Sequence, residues 1–272
     1  MIKLSQLMKK IEKITSRDNG RLVHARKVRD GKVSEQIFIE GRRLVEEALR
    51  SGLWIDECFV VDGFQESEIL EAVAKRTAAI AEISERTFGS IADTNHPQGI
   101  ILIAKRPKIS LESIESSLKA SALPMVIFLK EINNPSNLGA VLRTAEAAGV
   151  AGVIVSTNSA DVYSPKALRS AMGASFRIAV WENADFGDVL RWAKTGKLTT
   201  IAAVTTVGSS YIEIDWKTPR LLVFGSEAHG LNDSELERID ERVRIPMEDG
   251  VESLNLAVSA GIILFEAKRQ TG

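Results

Sequence analysis

Short apolar runs recur along this chain, separated by stretches whose apolar residues return every third or fourth position. In the first part, Gln36–Glu40, Ile55–Val61 and Ala79–Ile83 have the length and branched side chains of strands, and His96–Ala104 is a turn followed by another. Between them the helical spacing predicts helices over 42–51, 66–76 and 85–92, the last capped by Ser84. Upstream, Leu4, Leu7, Met8, Ile11 and Ile14 predict a weakly amphipathic helix over 3–14. A turn at 16–20 and a basic helix over 21–32, ending at Asp30-Gly31, follow.

A polar helix over 110–120 leads into a second alternating series. Strands are predicted at 125–129, 151–155, 176–180, 199–204, 220–224 and 243–245. Helices are predicted at 137–148, from Ser164-Pro165, over 185–194 and over 233–239, where Asn232 and Glu235 have the spacing of a capping box. From Ser253, a possible cap, the residues Leu254, Ala257, Val258, Gly261, Ile262 and Phe265 recur at helical spacing, with Lys268 and Arg269 in the last turn. Strands alternating with helices argue a doubly wound α/β fold, a parallel sheet covered on both faces.

The chain has 272 residues, room for two ordinary domains; 44% are hydrophobic and 26% charged, the balance of a folded soluble protein. No apolar run reaches membrane-spanning length and the N-terminus has no apolar signal core, so no membrane and a cytoplasmic protein are expected. One cysteine, Cys58 in an apolar run, rules out an internal disulfide and is expected to be buried. Three scattered histidines offer no metal cluster, and no metal is expected. The net charge of −1 conceals an asymmetry: residues 1–32 carry ten Lys/Arg against three Asp/Glu, or +7, leaving −8 for the rest. A basic arm over 1–35 on an acidic body points to a polyanion such as nucleic acid.

Three stretches carry the chemistry: Asn133-Asn-Pro-Ser-Asn-Leu-Gly-Ala-Val-Leu-Arg-Thr-Ala-Glu-Ala-Ala-Gly149, Leu221-Leu-Val-Phe-Gly-Ser-Glu-Ala-His-Gly-Leu231, and Ile245-Pro-Met247 with Ser253-Leu-Asn255. In this order they resemble the signature motifs of the SpoU/TrmH family, the 2′-O-ribose RNA methyltransferases of the SPOUT superfamily, over roughly residues 125–269. Phe38–Ala48 and Pro97–Ile100 also resemble the substrate-binding domain that precedes the catalytic domain in many SpoU proteins. The resemblance implies a SPOUT-type parallel sheet with a C-terminal trefoil knot, preceded by a small α/β RNA-binding domain like a ribosomal-protein fold. The expected divisions are the arm at 1–35, an RNA domain at 36–106, a linker at 107–121 and a methyltransferase domain at 122–272. It further implies S-adenosylmethionine as cofactor, RNA, most of all ribosomal RNA, as partner, and a homodimer formed through the C-terminal domain.

The same resemblance assigns roles. Thr205, Gly225, Gly230, Ile245, Met247 and Leu254 fall in the three loops that grip the cofactor, with Gly225 allowing close backbone approach. Asn137, Arg143, Glu227, Ser253 and Asn255 are the candidate catalytic set. Asn137 orients ribose or phosphate, and Glu227 orders Arg143 or a neighbouring loop. Ser253 and Asn255 line the hydroxyl. Arg143 is the residue linked to hydroxyl activation, but a guanidinium stays protonated and is better suited to phosphate and a developing alkoxide. Arg42 and Arg43 are placed to touch RNA phosphates.

Three positions depart from the common pattern: Ala228 stands for a glycine, His229 fills a variable slot, and Glu131 stands where many members have Asp. Gly225–Gly230 lacks the dinucleotide-binding spacing and no phosphate-binding loop is present, which weakens a nucleotide-dependent dehydrogenase. A tRNA-directed enzyme and a non-catalytic RNA-binding protein with the same fold are the remaining alternatives.

Overall fold

The computed structural model describes residues 11–77, 79–108 and 111–272. The chain divides into two compact units. The first comprises residues up to 108 together with Tyr163–Phe176; the second comprises Ile109–Val162 and Arg177–Gly272.

The first unit is built on a five-stranded mixed sheet in the order β1-β4-β3-β5-β2. Its strands are β1 (Glu12–Ile14), β2 (Gln36–Glu40), β3 (Ile55–Val61), β4 (Ile80–Ile83) and β5 (Ile100–Lys105). β5 runs antiparallel between β2 and β3, while β4 pairs parallel with β3 and β1. One face closes over Phe38, Phe59, Phe88, Ile101 and Ile103, with Leu22, Ala25 and Val28 of α1 (Gly20–Arg29) completing the cluster. α2 (Arg42–Arg50) packs against β2 and β5 and against α3 (Ser67–Ala74); α4 (Glu85–Ile91) is capped by the Ser84 hydroxyl, which accepts from the Thr87 amide. Cys58 is fully buried, and desolvation pushes its thiol pKa upward.

Two expectations change here. The helix foreseen over 3–14 falls partly outside the described residues, and its end, Glu12–Ile14, is a strand paired with β4. A three-residue strand has no pattern of its own; the exposed edge of β4 supplies its hydrogen bonds. The basic stretch foreseen as an arm therefore contributes, from Glu12 on, an edge strand and a helix whose apolar face enters the core. The late segment α7 (Pro165–Ala171) packs against β2 in this unit.

The second unit holds seven strands, every pairing parallel, in the order β10-β12-β9-β11-β6-β7-β8. They are β6 (Leu123–Leu129), β7 (Val150–Ser156), β8 (Val180–Ala184), β9 (Thr199–Val204), β10 (Ser209–Ser210), β11 (Arg220–Phe224) and β12 (Glu241–Arg244). Ile114 of α5 (Leu111–Ala120) and Val189 and Ala193 of α8 (Phe186–Thr195) bury against Val126, Phe128, Leu221 and Val223. α6 (Pro135–Ala148) contacts β7, and α10 (Leu256–Thr271) contacts β6 and lies along α6, with Gly261 facing Thr144. The expected parallel sheet with helices on two faces is present.

Some boundaries differ. The strand expected at 176–180 is displaced to β8, because Met172 and Gly173 turn left-handed after α7 and Ala174–Phe176 is a 3-10 turn. Pairing of Val153 with Val180 then fixes where the strand begins. The helix expected over 233–239 is a single turn, α9 (Asp233–Leu236), with the capping box of Asn232 and Glu235 formed. It stops early because Ile239 is buried and the Asp240 carboxylate accepts from both the amide and hydroxyl of Thr200. The last strand is β12 rather than 243–245, and α10 is capped by Asn255 rather than Ser253.

Candidate active site

The strand order of the second unit reverses beside β6: β7 and β8 extend one way, and β11, β9 and β12 the other. In an open parallel sheet the loops at the carboxyl ends diverge at such a point and leave a crevice. A cavity of about 660 Å³ lies there, inside the second unit. Its walls are Thr205 and Thr206 after β9, Phe224–Leu231 after β11, Ile245 and Met247 after β12, and Glu252–Leu256 leading into α10.

Of the eleven expected site residues, Asn137, Thr205, Gly225, Glu227, Gly230, Ile245, Met247, Ser253, Leu254 and Asn255 line this cavity. Arg143 does not. It sits on α6, six residues beyond Asn137, which is about 9 Å along a helix and on a different face. Its side chain is exposed and makes no hydrogen bond or ion pair among the described residues.

Local sequence explains how the polar edge forms. Asn134 caps α6 by accepting from the Ser136 amide at 2.9 Å, and Pro135 occupies the first helical position, where a missing N–H costs nothing. Asn137 thereby projects from the first turn. Its amide donates to Glu227, whose other oxygen accepts from the Asn134 amide at 3.2 Å. The Asn255 side chain donates to the Asn137 carbonyl oxygen at 3.1 Å and accepts from the Ala257 amide at 2.9 Å. The three motifs, far apart in sequence, thus meet in one chain of hydrogen bonds. Both Glu227 oxygens are thus occupied by the loop and helix that follow β6.

The loop after β11 is equally constrained. Ser226 and Gly230 exchange two backbone hydrogen bonds, at 3.1 and 2.9 Å. A Cβ at Gly225 would stand 2.2 Å from the Gly230 carbonyl carbon, so only glycine fits. Among the described residues no Lys or Arg lines the cavity, whereas Glu227 and Glu252 do. That lining has no cationic side chain to neutralise a phosphate and two carboxylates that favour a positively charged group. The motif reading had left several lining residues out, among them Glu252, Leu236 and Ile263; no spacing signal marks them, since their approach depends on the strand order.

A crevice at a parallel-sheet reversal defines a ligand-binding α/β protein. A model of the SpoU rRNA Methylase family matches residues 124–265, and a model of the MRM3-like substrate binding domain matches residues 10–102. The chain belongs to the SpoU rRNA methylase family and is an S-adenosylmethionine-dependent RNA methyltransferase. It is 30% identical over 265 residues to an uncharacterized tRNA/rRNA methyltransferase of Synechocystis sp., covering 96% of this chain and 94% of that one. It is 29% identical to a 23S rRNA (guanosine(2553)-2′-O)-methyltransferase of Bacillus subtilis, covering 96% and 100%. An S-adenosylmethionine-bound rRNA methyltransferase from Sinorhizobium meliloti superposes with a TM-score of 0.83 at 27% identity, over 96% of this chain and 98% of that one.

Proposed function

We propose that this enzyme transfers a methyl group to the 2′-hydroxyl of a ribose in ribosomal RNA. The observation that carries the reading is the convergence of Asn137, Glu227 and Asn255 at the edge of an acid-lined, phosphate-averse cavity. Bound there, S-adenosylmethionine supplies an electrophilic methyl group on a sulfonium. Ile245, Met247 and Leu254 give the adenine an apolar wall, and backbone groups of Thr205 and Gly225–Gly230 surround the sugar. Asn137 and Asn255, locked together by their own hydrogen bond, hold the ribose, with Ser253 beside the hydroxyl.

Arg143 engages the RNA phosphate next to that ribose and steadies the developing alkoxide, the phosphate accepting the proton. Its free, exposed guanidinium supports this, and its position away from the cavity suits service in a second copy's site. We accordingly read the enzyme as a homodimer formed through the second unit. Val258 and Phe265, seven residues apart on α10, are each about half exposed and give that dimer an apolar face. The C-terminal trefoil knot belongs to the same reading; β12 lying beside β9, with α10 returning along α6, supports it. The first unit serves as the RNA-binding domain, with a fold resembling that of a small ribosomal protein, and Arg42 and Arg43 at the exposed start of α2 meet phosphates. A cytoplasmic location fits, as no helix among the described residues is long and apolar enough to cross a membrane.

The test is methylation in vitro. Ribosomal RNA and tRNA lacking modifications are incubated with the enzyme and labelled S-adenosylmethionine, and 2′-O-methyl groups are mapped by mass spectrometry. Label at one ribose of ribosomal RNA is expected. Label confined to tRNA, or on a base, would replace this reading.

A further inference from the structure

The loop after β11 leaves the sheet at Phe224 and returns into α9 at Glu235, and a single residue touches both ends. The Lys130 amide donates to the Phe224 carbonyl at 2.9 Å, extending the β6–β11 ladder past the end of β6. The Lys130 ammonium lies 3.0 Å from the Glu235 carboxylate and 3.1 Å from that of Glu131. Lys130 and Glu235 side chains are each only 13% exposed. Lysine is seldom so covered unless it is paired, and removing one member of a buried pair leaves the other uncompensated.

The chain's own geometry makes the pairing specific. Glu131 takes a left-handed backbone, φ 55°, unusual for a residue with a side chain, and its amide donates to the Ser156 hydroxyl at 2.8 Å. Glu235 is already half of the capping box, its second oxygen accepting from the Asn232 amide at 3.0 Å. The ammonium is therefore linked through Glu235 to Asn232 and the first turn of α9. Leu231, just before that turn, and Leu236, its last residue, line the cofactor cavity.

We propose that Lys130 is a positioning residue for the cofactor loop, strapping both ends of the Gly225–Glu235 excursion to the end of β6. The inference rests on the cavity being the cofactor site. It extends that reading by naming a residue outside the cavity that sets the cavity's shape. Burial pulls the Lys130 pKa down, but the hydrogen bonds it donates to Glu235 and Glu131 outweigh that and leave the net shift upward, so the strap stays charged through neutral and mildly alkaline pH.

The experiment compares wild type with Lys130→Met, Lys130→Arg and Glu235→Gln in the full chain. S-adenosylmethionine affinity is measured by calorimetry, cofactor KM and kcat by methylation assay, and RNA affinity by gel shift. Lys130→Met is expected to weaken cofactor binding on the order of 10-fold or more, the scale of a slightly misplaced binding wall. The loss should appear in cofactor KM rather than in kcat, with RNA affinity held. Lys130→Arg should recover most of the affinity, and Glu235→Gln, which keeps a capping-box acceptor, should repeat the Lys130→Met effect if that variant does not fold. Cofactor affinity within twofold of wild type in both Lys130→Met and Glu235→Gln overturns the strap, as does a fall in kcat at unchanged KM. Failure of wild type itself to bind the cofactor would overturn the cavity assignment and the strap with it.

Discussion

The Asn255 side-chain amide donates to the Asn137 carbonyl oxygen at 3.1 Å, joining residues 118 positions apart. Asn255 caps α10 and Asn137 stands in the first turn of α6, so the bond ties the starts of two adjacent helices at the mouth of the cavity. Their mutual bond leaves Asn137 also held by Glu227 and Asn255 also held by the Ala257 amide. Such preorganisation lets polar groups act on a substrate without paying for reordering at the moment of reaction.

Arg143→Ala is expected to leave cofactor affinity nearly unchanged, since the residue does not line the cavity. The methylation rate should fall by roughly 10²-fold or more, the scale of losing one charge-stabilising group. Arg143→Lys should rescue only in part, because an ammonium lacks the planar two-pronged contact. Rate measurements at saturating RNA separate the roles: recovery there would mean that Arg143 only positions RNA.

Gly225→Ala should abolish cofactor binding while leaving RNA affinity intact. The added carbon would meet the Gly230 carbonyl carbon at 2.2 Å, and backbone cannot step aside as a flexible side chain does. Calorimetric titration with S-adenosylmethionine is the check. Wild-type affinity would show that this loop lies away from the cofactor.

RNA affinity should fall steeply as salt rises, because phosphate neutralisation releases counterions. Arg43 is exposed, and no hydrogen bond or ion pair holds it among the described residues. Arg43→Gln should lower the slope of log affinity against log salt by about 1 if the residue meets a phosphate. An unchanged slope would mark it as a solvated bystander. Arg42, paired with Glu66 at 2.9 Å, should change the slope less.

Wild type should be a dimer by light scattering at micromolar concentration. Val258→Asp with Phe265→Asp places two charges on the exposed face of α10 and should yield folded monomer with little activity. A fully active monomer would remove the reason for placing Arg143 in a second copy's site.

Glu266 has its pKa lowered from 4.5 to about 2, chiefly by a hydrogen bond from Arg269, with Gln270 adding a second. A depressed carboxylate contributes stability that is fully present above its unfolded value and is lost as pH falls through the folded one. The contacts that Glu266 makes near the end of α10 should therefore hold at pH 4.5 and loosen only near pH 2. Carboxyl-carbon NMR following Glu266 gives the midpoint directly, and a midpoint near 4.5 would mean the pair with Arg269 is not formed in solution.

The sequence by itself determined most elements and the chemistry of the loops. Apolar runs at 36–40, 55–61, 199–204 and 220–224 are strands with those same bounds, because a buried strand needs a continuous apolar stretch whatever its neighbours. The Asn232–Glu235 capping box and the Pro165 start of α7 were also legible, since both are local hydrogen-bond or backbone constraints. The tertiary structure decided what depends on partners. Glu12–Ile14 is a strand only because β4 offers an edge, and Ser209–Ser210 only because β12 does. β8 starts at Val180 because β7 sets its register, and α9 ends at Leu236 because Asp240 is taken up by Thr200. The motifs named ten residues that share one cavity and an eleventh, Arg143, that stands outside it. Sequence spacing placed Arg143 and Asn137 on different faces of one helix; only the packing of α6 decided that the Asn137 face is the one that meets the cavity. Lys130 carried no motif signal, because its ammonium meets Glu235 only once parallel pairing brings the ends of β6 and β11 side by side.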